Sequence, residues 1–314
     1  MKRRLITTII GGLLALGAHA QQDAEFSQYF FNPLYVNPGY AGSRDALSGT
    51  LVYRDQWHDL PGSPVTESFS LHSPIPHTGV GLGLSLYNDK LGPLVTQGVQ
   101  LTYAYNIRLS LKTKLAIGVS GSLNNLRVHW SDITIDDNSD PSFLDNGSSL
   151  VPDANVGLYL YRSRFYAGVS AVHILQSDFN LQTSTGDAAK YFRQYYLFSG
   201  VVLKVSQAVN FKPSILVKGT SAAPVNFEVD GAFIFYNKLF LGAGFRTSKR
   251  IGIPGTDNML IGILEYEILD HLRLGYSYDA FLNRTGQYNS GTHEIMLGWD
   301  IGLTKTKMTS PRFF

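Results

Sequence analysis

VTQGVQLTYAYNIRLSLKTKLAIGVSGSLNNLRV, running from Val95 to Val128, decides the fold. Apolar side chains recur at Val95, Val99, Leu101, Tyr103, Tyr105, Ile107 and Leu109. Between them stand Thr96, Gly98, Gln100, Thr102, Ala104, Asn106 and Arg108. After the short link Ser110-Leu111-Lys112 the pattern resumes, with Leu115, Ile117 and Val119 separated by Ala116, Gly118 and Ser120. A period of two residues puts alternate side chains on opposite faces of a strand, so one face is oily and the other small or wet.

Outward from this hairpin the same alternation recurs in both directions. Val80, Leu82, Leu84 and Leu86 interleave with Gly81, Gly83 and Ser85, and Ile295, Leu297, Trp299, Ile301 and Leu303 interleave with Met296, Gly298, Asp300 and Gly302. A soluble sandwich also alternates, so periodicity does not say whether the oily face meets protein or lipid. Connection lengths separate the two. Tight links such as Ser110-Leu111-Lys112, Ser163, Ser206-Gln207, Asn237-Lys238 and Asp270 alternate with longer ones, notably Ser131 to Pro152 and Asp178 to Lys190. Short turns on one rim and long loops on the other mark an all-β transmembrane barrel of the outer membrane. About 14 antiparallel strands fit residues 45–303, with 12 or 16 as alternatives, and an even number returns both ends of the barrel to the periplasmic rim. Tyr53, Tyr87, Tyr105, Tyr159, Phe165, Tyr236 and Tyr278 stand near strand ends, where interfacial aromatic girdles are expected.

Composition agrees. Of 314 residues only 16% are charged and 12% aromatic, with 31 Gly and no Cys. These values exclude a disordered chain, a coiled coil, a disulfide scaffold and thiolate chemistry. A mean hydropathy of −0.02 is too polar for a helical membrane protein. Lys2-Arg3-Arg4, the apolar run Leu5 to Gly17 and the triplet Ala18-His19-Ala20 read as a signal peptide over residues 1–20, cut after Ala20. Without it the basic residues fall from 26 to 23 against 24 acidic ones, so the formal +2 becomes −1. Nothing argues for a polyanionic partner, and nucleic acid is excluded.

Residues 21–44 precede the first strand and include FSQYFFNPLYVNPGYAG from Phe26 to Gly42. Two Asn-Pro pairs, Asn32-Pro33 and Asn37-Pro38, set recurring turns among Phe26, Tyr29, Phe31, Tyr35 and Tyr40. So aromatic a stretch does not stay solvated. It packs into the periplasmic mouth of the barrel, against its rim, or against a periplasmic partner. On the last reading Phe26, Tyr29, Phe31, Asn32, Pro33, Tyr35, Asn37, Pro38 and Tyr40 are the candidate partner-binding residues.

This segment resembles the opening of the PorP/SprF family of the Bacteroidetes type IX secretion and gliding machinery, whose pattern is F-x-x-Y-x-x-N-x-x-x-x-N-P-A-Y-A-G. Phe26, Tyr29, Asn32, Asn37, Pro38, Tyr40, Ala41 and Gly42 match it, and Gly39 replaces the commoner Ala. Tyr53-Arg54-Asp55-Gln56-Trp57, the glycines Gly79, Gly81 and Gly83 with Asn88-Asp89 and Gly92, and Gly157, Tyr159, Phe165-Tyr166, Gly168 and His173 are similar to further family patterns. So is the tail Ser310-Pro311-Arg312-Phe313-Phe314, within residues 304–314. The resemblance implies an outer-membrane barrel without enzymatic activity. It also implies two kinds of partner beyond lipid: large secreted adhesins with a type B C-terminal domain, or periplasmic ring components of the machine. The alternative is a small-solute, porin-like channel.

Other constellations are weaker. Asp136, Asn138 and Asp140 sit at EF-hand ligand positions within the acidic loop 131–152, but Pro141 stands where Gly is needed and Gly147 where the bidentate Glu belongs. Turn-forming carboxylates are favoured over a Ca²⁺ site, and no cofactor is expected. His58, His72, His77, His129, His173, His271 and His293 form no HxH or HExxH pair, and no G-x-S-x-G elbow occurs, so neither metal nor hydrolase chemistry is expected. Arg108, Lys114, Glu228, Asp230, Arg246, Arg273, Glu294 and Asp300 share the small-residue face. Charges facing lipid are costly, so they belong in the lumen or at the rims. There they line a selective pore or, as preferred, brace the barrel as paired charges.

Overall fold

The computed structural model describes residues 26–129, 147–179, 190–221, 223–249 and 256–302. The expected signal peptide, most of the acidic loop with its Ca²⁺ question, and the C-terminal tail lie outside these residues. Fourteen strands follow in chain order: β1 (Ala46–Asp55), β2 (Val65–Pro74), β3 (Val80–Leu91), β4 (Leu94–Arg108), β5 (Lys114–Val128), β6 (Gly147–Arg162) and β7 (Phe165–Val172). Then come β8 (Gln194–Val201, resuming at Leu203–Lys204 after a break), β9 (Val209–Thr220), β10 (Val225–Phe235), β11 (Leu239–Lys249), β12 (Thr256–Leu269), β13 (Leu272–Phe281) and β14 (Thr292–Gly302).

Each strand pairs antiparallel with its sequence neighbours, and β1 pairs with β14 from Ala46↔Gly302 to Asp55↔His293. The sheet is therefore closed and has no edge, which is what hydrocarbon demands of backbone polar groups. Alternation sorts the faces as the sequence indicates. Leu101, Val119 and Ile301 are exposed on the outside, whereas Thr102, Ser120 and Asp300 are buried inside. Glu228, Asp230, Arg246, Arg273, Glu294 and Asp300 are all buried within the barrel. Arg108 is exposed at the rim, and Lys114 lies 4.0 Å from Asp45 there.

Links 75–79, 109–113, 163–164, 205–208, 236–238 and 270–271 share one rim with Ala46 and Gly302, and the opposite rim carries links such as 56–64, 173–193 and 282–291. The 236–238 hairpin is closed by Lys238 N–H donating to the Phe235 carbonyl, with both Tyr236 and Asn237 at positive φ. That geometry matches the right-handed twist of paired strands. Two boundaries differ most from the sequence expectation. β6 begins at Gly147 rather than beyond Pro152, because β5 offers a hydrogen-bonding partner as far as Val128, opposite Gly147. β7 stops at Val172, since His173 takes a left-handed backbone with φ of 55°. Of the aromatic residues assigned to the girdles, Tyr53, Tyr105, Tyr236 and Tyr278 are exposed, but Tyr159 is buried in the lumen and Tyr87 donates to Asn124 Oδ1 there. Both follow small-residue parity in their strands, so alternation overrides their aromatic character.

Folded barrel should migrate faster on gels unless boiled. A tag at Gly62 should be reachable from outside intact cells, whereas tags at Ser163 or Asn237 should not; labelling in the reverse sense would invert the rims.

Candidate functional site

The lumen is filled by the chain's own N-terminal segment. From Phe26 to Ser43 the backbone folds into consecutive tight turns, including 3₁₀ turns at Pro33–Tyr35 and Pro38–Tyr40, each with Pro at its start. Local bonds satisfy many of its amides: Phe31 N–H donates to the Gln28 carbonyl, Asn37 N–H to that of Pro33, and Ser43 N–H to that of Tyr40. Such self-contained turns are how irregular backbone survives away from water. Asn37 locks the second turn, its Oδ1 accepting from Gly39 N–H at 2.8 Å while its Nδ2 donates to the Leu158 carbonyl at 2.9 Å.

The wall is shaped to receive it. A Cβ on Gly118 would collide with Pro38 and Gly39, one on Gly81 with Ala41, and one on Gly157 with the Asn37 amide. Tyr40 lies edge-on to Tyr159 and His72, and Phe31 edge-on to Phe240. Opposite Phe30, the Lys212 ammonium stands 4.8 Å from the ring centroid, a cation–π contact inside the barrel.

Two buried ionic clusters fasten the ends. Arg54 pairs with Asp279 and Glu294, each at 2.9 Å. Ser27 Oγ donates to Asp279 at 2.7 Å, and the backbone N–H groups of Ser27 and Gln28 donate to the Glu294 carboxylate, both at 2.9 Å. Arg246 bonds Glu228 and reaches Ser27 Oγ at 3.1 Å, while Tyr29 hydroxyl donates to Asp230 at 3.2 Å. At the rim that holds the barrel's two ends, Asp300 is shared by Arg44 at 2.7 Å and Arg273 at 2.6 Å. The segment therefore descends from the long-link half of the lumen, at Ser27, to the short-turn rim at Arg44.

Of the candidate partner-binding residues, Phe26, Tyr29, Phe31, Asn32, Pro33, Asn37, Pro38 and Tyr40 are buried within the barrel, and Tyr35 is partly buried. The structure thus places these side chains against the barrel wall, where a contact with an outside partner would require the segment to leave. Sequence reasoning passed over Ser27, Gln28 and Arg44, whose polar groups fasten the segment. The signal was available, since buried-parity charges in the strands require partners. No group of His, Asp or Glu suited to a metal ion occurs among the described residues. His72 instead accepts from Gly42 N–H at 3.2 Å.

Outside the membrane-spanning strands, His58 in the 56–64 link sits 2.6 Å from Asp55. That hydrogen bond and charge raise the imidazole above its ordinary 6.5. Its backbone also pairs with Ser290 and Gly291, tying two long-rim links together.

Residues 18–299 match the family of the type IX secretion system membrane protein PorP/SprF. The chain belongs to the PorP/SprF family. Solved structures with a similar barrel include the CymD monoaromatic hydrocarbon channel, at 9% identity and a TM-score of 0.50, covering 89% of this chain and 92% of that one. A TodX deletion mutant, also a monoaromatic hydrocarbon channel, gives 10% identity and a TM-score of 0.50 over 82% and 90% of the two chains. The KdgM porin follows at 8% identity and a TM-score of 0.39, covering 81% and 98%. No curated protein matches. Similarity this remote concerns the fold alone, so this PorP/SprF barrel is read from its own filled lumen.

Arg54→Ala would take from Glu294 its guanidinium partner and leave Asp279 only the Arg246 guanidinium at 3.6 Å, a loss of about 3 kcal/mol. It should lower the temperature at which the gel shift disappears. Gly118→Val should displace the Pro38–Tyr40 turn and raise permeability in planar bilayers, whereas Gly121→Val, with nothing within 4 Å of the added carbon, should not. For His58, the raised value means that the Asp55 pair contributes fully below the ordinary imidazole range and fades as pH rises through the raised one. Asp55→Asn should return the His58 titration, followed by NMR, toward 6.5.

Proposed function

We propose that this barrel is a docking platform of the type IX machinery rather than an open pore. It holds adhesin-like cargo carrying a type B C-terminal domain, or ring components on the periplasmic side. One observation carries the reading: the lumen is occupied by Phe26–Ser43, fastened by ionic clusters at both ends. A diffusion channel needs a continuous water path, and a segment in contact with strands all around the wall removes it. In this reading Tyr29, Phe31, Tyr35 and Tyr40 serve partners indirectly, by bracing the wall so that the two rims keep one shape. The outer surface is committed to lipid, which leaves the rims as the docking faces.

Planar-bilayer recording of the purified barrel tests the choice. Native protein should show no steady conductance, and a variant lacking residues 26–43 should conduct if its barrel still closes. Steady, solute-selective conductance by native protein would replace docking with the channel reading. Co-purification then separates the two kinds of partner. Capture of a very large secreted adhesin would assign the outer rim, and capture of a periplasmic component the inner one.

A further inference from the structure

Above the segment, on the long-link side, the lumen opens into a cavity of about 290 Å³ floored by Tyr35. This is near the small end of ligand sites in general. Its lining has two characters. Apolar groups supply one, the rings of Tyr35, Tyr87 and Tyr191 with the aliphatic Leu91, Leu94, Leu126 and Val172 beside them, and hydroxyl and amide groups, among them Ser122, Gln100 and Asn155, supply the other. The charged side chains of the lining, Asp89 and Lys190, cancel in sign.

The polar side is built in advance. Asn155 Nδ2 donates to Gln100 Oε1 at 2.9 Å and to Ser120 Oγ at 3.0 Å, while its Oδ1 accepts from His173 N–H at 3.0 Å. The His173 imidazole is bonded to Asp153 at 2.6 Å and stacked on Tyr191, with centroids 4.2 Å apart and planes 8° from parallel. Both His173 and Gln176 hold left-handed backbone, with φ of 55° and 51°. These left-handed residues turn the chain after β7 and set the His173 ring against the cavity.

We propose that this vestibule binds an uncharged sugar, one or two rings in size. A pyranose presents an apolar C–H face that packs on aromatic rings and a belt of hydroxyls that pairs with amides and hydroxyls. A purely apolar ring would use only the apolar half of the lining, and the balanced lining offers an ion no net counter-charge. An extended peptide is disfavoured because the closed sheet has no edge to donate main-chain hydrogen bonds. The site is independent of the docking proposal, since it needs only the folded, filled barrel.

The test uses the detergent-solubilised full-length protein, with saturation-transfer NMR and calorimetry against maltose, cellobiose, lactose and p-cresol. Polysaccharide purified from the cell's own envelope forms a separate arm. Saturable binding of at least one disaccharide is expected. Tyr191→Ala and Gln100→Leu should each weaken it about tenfold, Tyr191→Phe should restore it, and Tyr236→Ala on the opposite rim should leave it unchanged. The gel shift reports folding for every variant. Binding of envelope polysaccharide without free disaccharide would keep the sugar class and identify the cell surface as its source. Saturable p-cresol binding without sugar, no binding by a correctly folded barrel, or sugar binding indifferent to Tyr191 and Gln100 would each overturn the proposal.

Discussion

The seam between β1 and β14 is the contact on which the rest of this protein depends. In hydrocarbon an unpaired strand edge is not tolerable, so pairing Ala46 to Asp55 with Gly302 to His293 is what permits the sheet to stand in a membrane at all. Closure has a geometric consequence. A ring of fourteen strands encloses more space than its own inward side chains fill, and the small residues on the inner face enlarge that space further.

The N-terminal segment resolves this. It arrives with aromatic bulk and little charge, and the wall meets it with glycines at Gly81, Gly118 and Gly157, where any side chain would occupy the same volume. The inward charges pair with one another across the wall, but buried carboxylates need further hydrogen-bond donors to offset their desolvation. The segment therefore also brings Ser27, the Gln28 amide and Arg44, which complete the environments of Glu294, Asp279 and Asp300. Wall and segment are two halves of one core. The lumen of this barrel plays the part that a hydrophobic interior plays in a soluble protein, except that its charge pairs lie inside and its oily surface outside.

The same arrangement orients possible contacts. With the outer face given to lipid and the inner space to the segment, the described residues leave the rims and the vestibule above Tyr35 accessible. The vestibule differs from the segment below it in kind. The segment meets the wall through close contact and ion pairs, whereas the vestibule sets aromatic rings against a prebuilt amide network with space between.

The two-residue alternation determined the strands and the inward direction of Glu228, Asp230, Arg246 and Asp300, because these depend on the parity of neighbouring residues, and the alternation of short and long links turned that pattern into a barrel of about 14 strands whose oily face meets lipid. It also placed the short turns. Boundaries that depend on a partner strand were less legible, as at Gly147, where pairing with β5 outweighs a run of turn-forming residues. The same holds for Tyr159, whose parity sends it inward although its chemistry suits an interface. The aromatic segment announced that it must be buried, but its sequence offered the barrel mouth, the rim and a partner equally. Only the tertiary structure chose, since the choice rests on contacts between residues more than two hundred positions apart, Ser27 with Asp279 and Arg44 with Asp300. No local pattern in either partner encodes such a pairing; it exists once closure of the sheet has brought the wall around the chain.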